Sequence, residues 1–221
     1  MSLFPESQAD LNFPQPLSEK YRPTRIADFI GLDKQKKILS GFARAPKVGA
    51  WLFHGSSGTG KSTMAQALCE EIRGELHHIP SQKANIGTLE EIVRMCWYVP
   101  KNGTFHVVLV DELDVCSNAF QLALLSKLDS TARIPQTIWV FTSNGTEEEL
   151  RAKLEPRFLS RCWVLEFSSY GMRPLIAQLL ADVWQRETGK AGELNWERIA
   201  KDSGTNVRAA LSALEIELLA A

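Results

Sequence analysis

Eight consecutive residues, Gly55-Ser56-Ser57-Gly58-Thr59-Gly60-Lys61-Ser62, fit the spacing G-x-x-x-x-G-K-[ST]. Glycines let such a loop curl its N–H groups around an anion. The lysine amine can reach the outer oxygens of a triphosphate, and the hydroxyl after it can ligate Mg²⁺. Gly55, Ser57, Gly58, Thr59, Gly60, Lys61, Ser62 and Thr63 are therefore the candidate phosphate cradle, with Ser62 also a candidate metal ligand. The loop lies between an apolar run ending at His54 and a helical pattern from Lys61 to Arg73, so the positive end of a helix dipole would face the phosphates. A chance glycine-rich turn has little weight against eight constrained positions in that context.

Downstream, Val107-Val108-Leu109-Val110-Asp111-Glu112 reads as a buried strand with two carboxylates at its C-terminal end, where ligands of α/β sheets bind. Asp111 suits a magnesium ligand, direct or through water. Glu112 suits orienting or deprotonating an attacking water, which points to hydrolysis rather than binding alone. Acids at a strand end are by themselves most often only solvated; the phosphate loop upstream tips the reading. Thr142-Ser143-Asn144 closes the next strong strand, so Asn144 stands beside the two acids if those strands are neighbours, its amide able to hold a γ-phosphate or the water. The competing reading is a plain turn at Ser143-Asn144-Gly145.

The elements that must position these residues alternate along the chain. Apolar strand patterns at 50–54, 75–79, 104–110, 137–142 and 163–167 are separated by helical patterns, including one opened by an expected capping box at Thr88-Leu89-Glu90-Glu91 and one over Asn118 to Leu128. Strands this apolar between helices predict an α/β fold with a parallel sheet covered on both faces. After Ser168-Ser169 only helices are expected, roughly over 172–187, 195–202 and 206–219. The expected organisation is a flexible arm over 1–17, rich in proline and polar residues, an α/β domain over 18–168, and a small all-helical domain over 169–221.

Composition is that of an ordinary globular chain, 44% hydrophobic over 221 residues. With 25 Lys and Arg against 26 Asp and Glu, no global charge announces a nucleic-acid partner, and a DNA contact would need a local patch. No stretch approaches a membrane span and the first residues lack a signal-peptide pattern, so a cytoplasmic location without membrane contact is expected. The four cysteines form no C-x-x-C pair; neither a zinc ribbon nor a disulfide scaffold is suggested, and they read as buried or incidental thiols.

By these motifs the chain resembles the AAA+ ATPases, and within them the ATPase subunits of replication clamp loaders. Glu19-Lys20-Tyr21-Arg22-Pro23 with Asp28-Phe29-Ile30-Gly31 is similar to the segment with which those subunits pack on adenine, which implicates Tyr21, Arg22, Pro23 and Ile30. Asp111-Glu112-Leu113-Asp114 is similar to their D-E-x-D box, and Ser160-Arg161-Cys162 to the motif that carries their arginine finger. The resemblance implies ATP and Mg²⁺ as cofactors, other AAA+ subunits as partners, and Arg161 reaching into a neighbour's site; Arg157 is a rival for that role. Asn206-Val207-Arg208-Ala209-Ala210-Leu211 resembles the lid segment whose arginine approaches the γ-phosphate. Arg208 lies off the apolar stripe of Val207, Leu211, Leu214 and Leu218, so it is free either to face nucleotide or to be solvated.

The same family lines a DNA channel with positions that here carry Lys83, Asn85, Asn118 and Lys127, each of which alone reads equally as plain surface. The resemblance thus implies a motor acting on a sliding clamp at primer-template DNA. It runs from about Glu19 to the C-terminus, and family subunits continue past the lid into a helical collar that holds their pentamer. The alternative is a helicase loader or initiator-like AAA+ ATPase. A protein-threading unfoldase ranks below both, because Lys83-Ala84-Asn85-Ile86-Gly87 lacks the aromatic of a pore loop. An inert adaptor is disfavoured by the joint presence of Lys61, Ser62, Asp111, Glu112, Asn144 and Arg161.

Overall fold

The computed structural model describes residues 14–101, 103–129, 134–192 and 194–220. Five strands, β1 (Gly49–Gly55), β2 (Glu75–Ile79), β3 (His106–Val110), β4 (Thr137–Asn144) and β5 (Trp163–Glu166), form one parallel sheet in the order β2-β3-β4-β1-β5. β3 is buried at every position and β4 at all but Asn144, the pattern of strands covered on both faces.

Period-two alternation divides the strand side chains between two cores. Leu52, Val108, Val110, Trp139 and Phe141 pack on one face with Leu89 and Ile92 of α4 (Ile86–Met95), Phe120 and Leu124 of α5 (Asn118–Leu128), and Phe158 of α7 (Arg157–Arg161). Phe53, Val107, Leu109, Ile138 and Val140 pack on the other with Leu39 of α2 (Asp33–Arg44) and Met64 and Leu68 of α3 (Lys61–Glu71). A third cluster joins Leu17 of α1 (Leu17–Lys20) to Ile176 and Leu180 of α8 (Met172–Thr188), Ala200 of α9 (Trp196–Asp202), and Leu211 and Leu214 of α10 (Val207–Ala220). None of the described helices is long and apolar enough to cross a membrane.

Two local expectations are revised. Helix α4 starts at Ile86, before the expected box: Asn85 sits in extended backbone and its Oδ1 accepts the Thr88 N–H at 3.0 Å, leaving Thr88 inside the first turn. Asn is the better cap, its short carboxamide reaching the free amides without a branched Cβ. A reciprocal capping box does form between Thr146 and Glu149, at the start of α6 (Glu147–Lys153). Of the arm expected over 1–17, residues 1–13 lie outside the described residues; Leu17 opens α1 and is buried against the C-terminal helices.

Phe141, fully buried on β4 with the Phe158 ring edge-on at 5.7 Å, supports the strand that carries Asn144. Phe141→Ala is expected to destabilise the fold by about 3–5 kcal/mol, read as a lower urea midpoint at unchanged slope.

Candidate functional site

All strands are parallel, so β1, β3 and β4 deliver their C-terminal ends to one edge, where the loop, Asp111-Glu112 and Asn144 meet. Gly58 and Gly60 hold φ of +75° and +90°, values only glycine adopts without strain, and a Cβ on Gly58 would collide with the Asn206 carboxamide. The loop delivers α3 with no side chain capping its N-terminus, so the first amides of that helix remain available to an anion.

Lys61 is 7% exposed and donates to the carbonyls of Gly55 and Ser56, each at 2.8 Å, and to Asn144 Oδ1 at 2.9 Å. Burial lowers its pKa from 10.5 to about 8, against the opposing pull of Asp114, Glu112 and Asp111. An ammonium in that position gains by meeting phosphate oxygens, which replace the lost water.

Asp111 is fully engaged: Oδ1 accepts from Ser62 Oγ at 2.5 Å and Thr142 Oγ1 at 2.8 Å, and Oδ2 lies 2.6 Å from His78 Nε2. Glu112 occupies a left-handed conformation, φ 52° and ψ 53°, uncommon for a residue with a Cβ. Its N–H donates to Thr142 Oγ1 at 3.0 Å, while its carboxylate accepts from Ser81 Oγ at 3.1 Å and Asn144 Nδ2 at 3.3 Å. Lys61 can only donate, so Asn144 must turn Oδ1 to Lys61 and Nδ2 to Glu112, and one carboxamide ties the amine to the acid. Asp114 fixes that asparagine from behind, accepting from Ser143 Oγ at 2.7 Å and the Asn144 N–H at 3.2 Å.

Beside the loop a cavity of about 120 Å³ opens between the sheet and the C-terminal helices. Tyr21, Arg22, Pro23 and Ile30 line it together with Gly58, Thr59, Gly60, Thr63 and Arg208, so the segments singled out in the sequence converge here from both halves of the chain. Phe29, Met172 and Leu211 complete an apolar wall suited to a flat ring. Tyr21 is anchored by donating to Glu187 at 2.5 Å, and its pKa rises to about 12, first through burial and then through that carboxylate. Arg208 stays exposed at the cavity, and Asn206 Nδ2 donates to the Ser57 carbonyl at 3.2 Å, bridging α10 to the loop.

Arg161 stands elsewhere. It ends α7 just before β5, whose Trp163 pairs with Trp51 near the start of β1. At about 3.3 Å per residue, the run from Trp51 to Gly55 alone separates it from the loop by roughly 13 Å. Its guanidinium chelates Asp129 Oδ1 at 2.7 and 2.9 Å, whereas the Arg157 guanidinium is 58% exposed with Glu155 at 2.8 Å. Of the four positions considered for DNA, Lys83, Asn85 and Asn118 are exposed at the ends of loops leaving β2 and β3, but the Asn85 carboxamide is committed to capping α4. Lys127 lies a helix length away, beside Arg161.

Sequence reading missed Thr142, His78, Ser81 and Asn206. Only strand adjacency reveals the first: Phe141 lies level with Val110, which puts Thr142 beside Asp111. Asn206 could have been suspected as a helix cap, since its Oδ1 accepts the Ala209 N–H, but not as a partner of the loop.

Residues 51–165 match the family described as "ATPase family associated with various cellular activities (AAA)". Among curated proteins, the chain is 28% identical over 206 residues to "Replication factor C small subunit 1" of Pyrobaculum aerophilum, covering 90% of this chain and 60% of that one. It is 27% identical over 208 residues to "Replication factor C subunit 3" of Blastobotrys adeninivorans, covering 90% and 59%. The chain therefore spans about 60% of the length of these relatives. Among solved structures, the Thermotoga maritima RuvB Holliday junction branch migration motor superposes with a TM-score of 0.68 at 20% identity over 91% of this chain and 65% of that one, a likeness of fold.

The folded chain releases the Lys61 proton near pH 8 and the unfolded chain near 10.5. The unfolded state binds more protons between those values, so the cost of burying the charge is full below the window and fades as pH rises through it. Comparing urea unfolding of wild type with Lys61→Met at about pH 7.5 and about pH 10, the difference is expected to move by roughly 1–2 kcal/mol in favour of wild type at the higher pH. A difference independent of pH contradicts the buried-ammonium assignment.

Proposed function

The chain belongs to the AAA family of ATPases, and from that premise we propose that it hydrolyses ATP as a clamp-loader-like motor, working in an oligomer on a sliding clamp at primer-template DNA. The observation that carries the reading is the continuous hydrogen-bond path Ser62–Asp111–Thr142–Glu112–Asn144–Lys61 at the mouth of the loop. Residues 18–168 form the nucleotide domain and 169–221 the lid.

Phosphates are held by the amides of Gly55 to Thr63 and by Lys61, and the adenine by Tyr21, Arg22, Pro23 and Ile30 at the cavity wall. Hard oxygen donors from Ser62 and Asp111, already paired, fit Mg²⁺, which supplies charge neutralisation at the outer phosphates. Glu112 receives the proton of the attacking water, and its Asn144 contact holds it in place. Arg208 contacts the γ-phosphate from α10 and so links nucleotide state to the lid. Arg161, at the opposite edge of the sheet, cannot serve its own loop and completes the site of an adjacent subunit after leaving Asp129; Arg157 is the alternative donor. Lys83 and Asn118 supply backbone-directed DNA contacts whose phosphate contributions add over several subunits; Asn85 is held by the α4 cap and Lys127 lies apart from them, beside Arg161.

ATP turnover, measured with primer-template DNA, with a sliding clamp and with both, is expected to rise most with both; stimulation by single strands or a helicase instead would move the protein to the loader class. Glu112→Gln is expected to bind ATP yet lose about 10²–10⁴ in turnover. Arg161→Ala is expected to lose turnover as severely, and mixing it with Lys61→Ala should restore part of it. Failure of rescue in mixed oligomers rejects a finger in trans at that position.

A further inference from the structure

At the β2 edge of the sheet, three buried side chains from three elements converge: His77 of β2, His106 at the start of β3, and Cys96, which caps the end of α4. Their ligand atoms all lie within 4.8 Å of one another, and among the described residues no other trio of His, Cys or carboxylate side chains does so. Strand register explains the convergence. Glu75 lies level with His106 and His77 level with Val108, so Glu75, His77 and His106 share the sheet face that α4 covers.

We propose that Cys96, His77 and His106 form a structural zinc site, with Glu75 as fourth ligand. His77 Nε2 and His106 Nδ1 stand 2.9 Å apart, hydrogen-bonded to each other, and Glu75 Oε2, which accepts the Lys101 N–H at 2.7 Å, lies 3.8 Å from His106 Nδ1. Ligands about 2.0–2.3 Å from a tetrahedral zinc are roughly 3.3–3.8 Å from one another, so the two imidazoles part slightly to admit an ion and the Glu75 side chain swings in from outside the 4.8 Å cluster to complete the set. The orienting contact that a zinc-bound histidine needs already exists: His106 Nε2 lies 2.9 Å from the Tyr98 carbonyl, which can only accept, so the proton sits on Nε2 and the Nδ1 lone pair faces the site. The other thiols lack this setting; Cys69, for example, points at the Gly74 carbonyl. A thiolate, two imidazoles and a carboxylate suit zinc better than copper, whose thiolate sites pair His₂Cys with a weak axial group.

Protons balance simply. Without the ion, His77 donates from Nε2 to His106 Nδ1 and Cys96 keeps its thiol, which burial holds up to about 11. On binding, the His77 proton moves to Nδ1 and the thiol proton leaves to solvent, one released per ion. The ion would tie the edge strand β2 to β3 and to the end of α4, stiffening the sheet at the edge away from the loop.

The test uses the full chain stripped with a chelator and titrated with Co²⁺ as the probe, then with Zn²⁺. The expected result is a thiolate-to-cobalt charge-transfer band with the visible bands of a tetrahedral site, saturating at one ion per chain, bleached by Zn²⁺, and accompanied by a higher unfolding temperature. Cys96→Ser should abolish the charge-transfer band, His106→Gln should weaken binding at least about 10-fold, and Cys162→Ser should leave both unchanged. Absence of the band in the wild-type chain, its survival in Cys96→Ser, or its loss in Cys162→Ser overturns the proposal. The wild-type spectrum decides even if a variant fails to fold.

Discussion

Parallel pairing of β4 with β1 on one side and β3 on the other sets Asn144 level with Gly55 and Phe141 level with Val110. From that register the polar site follows without further adjustment. Thr142 falls beside Asp111 and bonds both it and the Glu112 amide, while Asn144 falls between Lys61 and Glu112. A one-residue slip of β4 would turn every one of these side chains to the other face and bury the polar set in an aliphatic core. The bulky apolar packing of Trp139 and Phe141 on one face and Ile138 and Val140 on the other penalises such a slip, so the core secures the chemistry.

The site is also a junction between cores. Phe29 and Met64 belong to the cluster under the sheet, Ile30 and Met172 to the cluster of C-terminal helices, and the cavity lies where the two meet. Among the described residues few polar contacts span it, notably Asn206 to the Ser57 carbonyl, while Tyr21 and Lys20 tie the opening segment to Glu187 on α8. A junction joined by few bonds is one whose geometry a bound anion can bias.

Much of this was legible in the chain. The loop spacing, the four apolar residues before Asp111-Glu112 and the stripe of Val207, Leu211 and Leu214 are local patterns, because strand and helix periods are set by neighbouring residues. The start of α4 was misplaced because Thr88 and Glu91 offered a valid box, and Asn85 prevailed through the backbone geometry of the turn before it. The partners of Asp111 were not legible: Ser62, Thr142 and His78 come from three other segments, and no local pattern records which strands become neighbours.

The amino-acid sequence by itself determined that the chain has a glycine-rich loop of G-x-x-x-x-G-K-[ST] spacing between strand and helix, acids at a strand end and helices after the sheet, since each is written in contiguous residues whose conformation is settled over short range. Tertiary structure decided three things. It placed Arg161 at the edge opposite the loop, held by Asp129; it made Asn144 the link between Lys61 and Glu112; and it gathered His77, Cys96 and His106, which are distant along the chain, into one buried cluster. The reason is the same in each case: strand order and register bring distant residues within bonding distance, and they are set by burial of whole faces rather than by spacing along the chain.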